Sequence, residues 1–432
     1  MRHLRSSTRL VAGVAALSLT LAACASDGED TTSTDNASTP DDATSAGETM
    51  GDMDGDVTAE EAGDPYALFK AAVQDVGPSG TAGALAGGLD AALNLDGDVN
   101  SAASQVRASL TTLLQEHVYL AGAAVDAAFS FGLDSGEFGL AAGALDTNSV
   151  EISQLIGSVA PDQEAAFLGL WREHIGFFVD YAVGAATDDQ PAKDAALASL
   201  DGYRAQAGSF FETITNGELP ADAIAENLKG HISTLAAAID AAAAGDPQVW
   251  SLLQKAADHV AGSAAVISKG VVAAAGLEGD TESAASATLT TLSQILEEHV
   301  FLAGFAVRAA YGAGGDLEDP SFVAAAGVLD ENSVELAAVI ATIDADSEAP
   351  FLALWREHIG FFVNYAVGIA TGDDALADGA LASLAGYGDQ AGAFFEGLSG
   401  GVIPASAVKG ALEQHVISLS ATIRAFKVAI LG

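Results

Sequence analysis

The chain has 432 residues and a formal net charge of −43, with 59 acidic residues against 16 lysines and arginines. So acidic a surface repels nucleic acid and anionic lipid, which excludes nucleic-acid binding as a function. The single cysteine excludes internal disulfide bonds.

An export signal is predicted over residues 1–23. Arg2, Arg5 and Arg9 precede an apolar run from Leu10 to Ala23, which is shorter than the roughly 20 residues of a membrane span. The run ends Leu-Ala-Ala-Cys at Cys24, which looks like a lipobox. We therefore expect a lipoprotein, lipidated at Cys24 and anchored on the extracellular face of the cell membrane. The alternative is an ordinary signal peptide with a chance cysteine.

Residues 24–63 form an acidic segment that has no lysine or arginine. Such a composition buries too little apolar surface to offset the entropy lost on ordering, so a disordered linker is predicted. After the signal there is no apolar run of 18 residues, and no transmembrane helix is expected.

The remainder of the chain contains an internal duplication. Residues 170–187 recur at 354–371 with sixteen of eighteen positions identical, and residues 116–122 recur almost unchanged at 298–304. The offset of 182 to 184 residues predicts two helical repeats, 64–245 and 246–432.

Apolar residues in each copy recur at steps of three and four, as on one face of a helix. The fold class predicted is all-α, a tandem duplicated antiparallel bundle with about six helices per copy. In the first copy the helices are placed near 66–76 with an extension towards 89, 103–129, 138–158, 163–187, 191–215 and 221–243. Asp146 to Asn148 are expected to allow a break in the third of these, because Asx residues favour caps and turns.

One histidine recurs at the same point on seven apolar helices. His117, His174 and His231 are 57 residues apart, and the second copy has spacings of 59 and 57. Seven of the eight histidines are candidate ligands of a transition metal or haem. They are His117, His174, His231, His259, His299, His358 and His415.

These helices resemble a family of helical proteins from Gram-positive bacteria with Leu-Trp-x-Glu-His and Leu-Leu-x-Glu-His motifs. Here the motifs are Leu170 to His174, Leu113 to His117 and their second-copy counterparts, and Leu145-Asp-Thr-Asn148 is similar to the family's spacer. The resemblance implies a helical bundle and no particular activity.

Glu116, Glu173, Glu298 and Glu357 directly precede a histidine, and neighbours on a helix point about 100° apart, so they are not expected on the histidine face. The di-iron signature needs a glutamate three residues before each histidine, and HExxH is absent, so ferritin-like oxidases and zinc proteases are rejected. No catalytic residue is identified and no enzyme is predicted.

Two functions stay open. The first is a lipoprotein that binds a metal or haem through the histidines. The alternative is a structural protein, or one that binds a cell-envelope protein, in which each histidine donates to an acceptor on a neighbouring helix. Arg172 and Arg356 are expected to pair with acids at the surface.

Overall fold

The computed structural model describes residues 63–432, so the signal, Cys24 and almost all of the acidic linker lie outside the described residues. Within that range the chain forms thirteen α-helices and no strand, and the all-α prediction is confirmed. The helices are α1 (Pro65–Gln74), α2 (Thr81–Leu93), α3 (Ala102–Phe131), α4 (Gly136–Val159), α5 (Glu164–Ala186), α6 (Gln190–Ile214), α7 (Ala221–Ala244), α8 (Val249–Ala275), α9 (Ala284–Gly312), α10 (Pro320–Ile343), α11 (Glu348–Thr371), α12 (Asp374–Leu398) and α13 (Ala405–Leu431). None of the helices in 63–432 is both long and apolar enough to span a bilayer.

Local sequence accounts for most helix ends. Ser101 and Ser283 cap α3 and α9 by accepting a backbone N–H three residues on, as N-cap serines do. Gly245 and Gly276 end α7 and α8 in the left-handed conformation, which glycine adopts without strain.

The start of the first copy differs from the prediction. Instead of one extended helix, α1 ends at Gln74 and α2 begins at Thr81. Pro78 lies in the connection and, because proline lacks an N–H and disfavours helix at the residue before it, it separates the two segments. The second copy has no proline at this place and forms the single helix α8.

The expected break at Asp146 to Asn148 is wrong, because α4 runs through it. Asn148 donates its side-chain amide to the Leu113 carbonyl on α3 at 3.0 Å, and Asn332 donates in the same way to Ile295 at 3.1 Å. These side chains therefore join neighbouring helices instead of ending their own.

The first helices of the two copies are exchanged in space. The α1 helix packs against α9 and α13 of the second copy, whereas α8 packs against α3 and α7 of the first. Phe69 on α1 contacts the rings of Phe301 and Phe426, with centroids 5.2 and 5.5 Å apart. The set α3–α7 is thus completed by α8 of the second copy, and the set α9–α13 by α1 and α2 of the first.

Candidate metal centre

Three helices of the first copy each place one histidine at a common point. His117 on α3, His174 on α5 and His231 on α7 each offer a ring nitrogen, and these three nitrogens all lie within 4.8 Å of one another. The side chains are only 2, 2 and 5 % exposed. We call this set the first cluster.

The spacing within the first cluster approaches that of a metal site. The Nε2 atoms of His117 and His174 are 3.4 Å apart. Two imidazole nitrogens bound tetrahedrally to one ion with bonds near 2 Å lie about 3.3 Å apart. Two ligands already have this separation, and His231 would have to approach by about 1.5 Å at most.

The second copy repeats the arrangement with His299, His358 and His415, which we call the second cluster. The His299 ring centroid is 5.3 Å from His358 and 6.4 Å from His415, against 5.3 and 6.2 Å for the corresponding pairs in the first cluster. Within residues 63–432, the first cluster alone brings three candidate ligand atoms within 4.8 Å. The second cluster is therefore slightly wider.

Burial keeps these imidazoles neutral. Desolvation, reinforced by the other histidines, lowers the pKa of His117 and His299 well below the ordinary value. Desolvation also lowers the pKa of His174 to about 3, against a weaker opposing effect of the Trp171 backbone. Neutral imidazoles carry a free lone pair, which is the form that binds metals.

The hydrogen bonding of the clusters matches the structural interpretation only in part. The contact between the Nε2 atoms of His117 and His174 joins two neighbouring helices, as that interpretation expected. The Nδ1 atoms of all six histidines are buried without a partner within hydrogen-bonding geometry, although the backbones of Trp171 and Trp355 act on His174 and His358 and oppose the lowering of their pKa.

His259 behaves differently from the other candidates. It lies on α8 and is half-buried, and its Nε2 is 3.0 Å from the Asn227 carbonyl oxygen. It is not among the three histidines brought together in the first cluster. His259 thus makes the inter-helix contact that the structural interpretation expected.

Aromatic rings surround the clusters. Trp171 lies 4.8 Å from the His117 ring and 4.6 Å from the His174 ring, and Tyr203 stacks on His174 at 4.8 Å. Tyr387 stacks on His358 at the same distance. Sequence analysis missed both tyrosines, although each follows its histidine by 29 residues, and that repeated spacing was a usable signal.

The first cluster borders a cavity of about 50 Å³. With the His117 and His174 Nε2 atoms in near contact, no slot for a porphyrin separates them, because a haem bound by two histidines places its iron and ring between the two nitrogens. The His117–His174 pair of the first cluster therefore does not fit a haem.

The glutamates that precede the histidines face away from the clusters, as expected. Glu116 lies 3.1 Å from the Lys70 ammonium, and Glu298 accepts from Gln115 and Gln254 at 2.9 and 2.6 Å. Both are buried, which the sequence did not predict. Burial raises the pKa of Glu116 to about 7 and that of Glu298 to about 8.

The predicted surface ion pairs of the two arginines are confirmed. Arg172 donates through Nε and Nη2 to the two carboxylate oxygens of Asp146 at 2.7 and 2.8 Å. Arg356 does the same to Asp330 at 2.6 and 2.7 Å.

Comparison with known proteins gives no assignment. No family model, no curated protein and no solved structure matches the chain. The functional argument therefore rests on the geometry of the clusters.

Proposed function

We propose that the protein binds a transition-metal ion between His117, His174 and His231, with the second cluster as a further, weaker site. One observation carries the proposal: three neutral imidazoles from three helices offer nitrogens within 4.8 Å of one another. We also propose, from the sequence alone, that Cys24 carries a lipid that holds this binding protein on the outer face of the membrane.

The hydrogen-bonding state of the clusters supports a ligand. Each neutral imidazole has one N–H donor, and a buried donor without a partner costs about 1–3 kcal/mol. In the first cluster the contact between His117 and His174 can satisfy one donor, and the Nδ1 atoms of His117 and His231 are buried without a partner within hydrogen-bonding geometry. A purely structural role would be better served by histidines bonded as His259 is.

Equilibrium dialysis of untagged, metal-free protein against Zn²⁺, Co²⁺ or Cu⁺, each alone, tests the proposal. We expect at least one of these ions to bind at about one per cluster. Binding to the first cluster should be lost in His174→Gln and kept in His259→Gln, which changes a histidine of the same chain outside the clusters. Circular dichroism of both variants checks that the helices remain.

If none of the three ions binds to the folded protein, the proposal is wrong and the clusters are packing elements. Equal loss of binding in His174→Gln and His259→Gln would also contradict it, because only the first substitution removes a proposed ligand.

A further inference from the structure

The first cluster contains no negative charge. Its cavity is lined by the three histidines, by apolar side chains such as Leu114, Ile152 and Phe167, and by the neutral polar residues Asn227 and Ser263; no carboxylate of the described chain lines it. Of the two carboxylates that directly precede a histidine of this cluster, Glu116 pairs with Lys70 and Glu173 is exposed to solvent.

Tyr203 also lines the cavity, where its ring stacks on that of His174 with the centroids 4.8 Å apart. The ligand set that the cavity offers is the three imidazoles of His117, His174 and His231.

The charge of the ion determines the free energy required to place it in this cavity. The Born cost of moving an ion into a medium of low dielectric constant grows with the square of its charge, so a dication costs about four times as much as a monocation of equal size. Carboxylate or thiolate ligands normally offset that cost, and the cavity supplies neither.

The number of ligands and their surroundings disfavour a structural zinc site. Structural zinc takes four protein ligands, and the cluster supplies three. Histidines that bind zinc usually donate their other N–H to an acceptor, which makes them stronger ligands. The Nδ1 atoms of His117 and His231 are buried without such a partner.

One wall of the cluster is an aromatic ring. The Trp171 ring is 4.8 and 4.6 Å from the rings of His117 and His174. A cation within about 6 Å of an indole centroid is attracted by the ring face, more strongly when it is desolvated.

We propose that the first cluster is a three-coordinate site selective for Cu⁺, held by His117, His174 and His231 with Trp171 beside it. Imidazole is a suitable ligand for copper. Of the metal ions that imidazole binds, Cu⁺ is the one that carries a single charge. This inference rests on the proposed metal-binding function and adds the identity of the ion.

Competition under anaerobic conditions tests it. Metal-free, untagged protein is titrated with Cu⁺ held by the chelator bicinchoninate, and separately with Zn²⁺ held by a chromogenic zinc chelator. We expect Cu⁺ to bind at least about tenfold more tightly than Zn²⁺. Cu⁺ should quench tryptophan fluorescence, and most of that quenching should disappear in Trp171→Phe and persist in Trp250→Phe, whose ring contacts Phe305 instead.

The outcomes separate the two proposals. Tighter binding of Zn²⁺ than of Cu⁺ would overturn the selectivity and leave metal binding standing, whereas failure of both ions to bind would overturn both. His174→Gln should lose the more tightly bound Cu⁺ of the first cluster, while His259→Gln keeps it. If both variants keep Cu⁺ at wild-type affinity, the ion binds elsewhere and the site is refuted.

Discussion

The metal-free protein should have its greatest stability near pH 6.5 and should lose it rapidly below pH 6. Two sets of fully buried groups contribute most to this pH dependence, and their effects have opposite signs. The first set is the six cluster histidines, His117, His174, His231, His299, His358 and His415. The second set is the three buried glutamates, Glu116, Glu297 and Glu298.

The histidine pKa values are lowered in the folded state to about 3 for His174 and His358 and about 4 for His231 and His415, and well below 6.5 for the other two. Their stabilising contribution is complete above the unfolded pKa of 6.5 and is lost as the pH falls below it. The glutamate pKa values are raised to about 7 for Glu116 and about 8 for Glu298, and well above 4.5 for Glu297. Their contribution is complete below pH 4.5 and is lost as the pH rises through those values.

At pH 5.5 unfolding should take up about five and a half protons at the histidines and release about two and a half at the glutamates. The net uptake of about three protons corresponds to a fall in the free energy of unfolding of about 4 kcal/mol per pH unit. Near pH 6.5 the two effects cancel, and above it the glutamates alone act, so stability declines again.

Urea unfolding followed by circular dichroism between pH 5 and 8, with a chelator present, measures this curve. His174→Gln combined with His358→Gln should reduce the slope near pH 5.5 by about 2.5 kcal/mol per pH unit, since two groups that take up protons are removed. Trp171→Phe, which removes no titrating group, should lower stability without changing the slope. A flat curve between pH 5 and 6.5, or a slope unaffected by the double substitution, would refute the burial of neutral histidines.

Three other expectations concern the fold and its anchoring. Gly304→Ala should destabilise the protein by about 1–3 kcal/mol in thermal or urea unfolding, because its new methyl group would overlap the Phe69 ring. The control is Gly327→Ala, which places a methyl group in open space within α10. This substitution should be neutral or stabilise the protein by up to about 1 kcal/mol. Equal effects of the two glycine substitutions would argue against the packing of α1 on α9. Arg356→Ala should change the free energy of unfolding by less than about 1 kcal/mol, because its ion pair with Asp330 is half-exposed; a larger loss would show that this pair matters more than its exposure suggests. Cys24→Ala should release the protein from membranes or leave its signal uncut in cell fractionation, and a processed, lipid-labelled variant in the membrane fraction would contradict the predicted anchor.

Local patterns were sufficient to predict the helices but not their partners. The three- and four-residue spacing of apolar side chains predicts helix wherever it continues, and it located α3 to α7 to within a few residues. The exchange of α1 and α8 depends on which helix surfaces, far apart in the sequence, pack well against each other. Gly122 and Gly304 occupy equivalent sequence positions, yet a side chain at the first would meet Leu253 of α8 and at the second Phe69 of α1. Nothing in the spacing of either helix specifies that choice.

The candidate site was partly predictable for a similar reason. Equal spacing of His117, His174 and His231 in sequence indicated equivalent positions on antiparallel helices, and these three histidines do lie together. His259 fits the same local pattern but lies on the exchanged helix α8, so its neighbours differ. The burial of Glu116 and Glu298 was missed because α3 and α9 are covered on two sides. On the histidine side each helix packs against helices of its own copy. On the opposite side α3 and α9 pack against each other and against the exchanged helices.

The metal content of untagged protein, purified without chelators and measured by mass spectrometry, tests the central claim most directly. We expect about one transition-metal ion per occupied cluster, with copper predominant when the protein is produced in copper-supplemented cells. The ion should be absent from the His174→Gln, His358→Gln double variant and retained in His259→Gln. Folded wild-type protein that contains only trace metal after supplementation, or a double variant that retains the wild-type amount, would contradict the assignment of the clusters as metal sites.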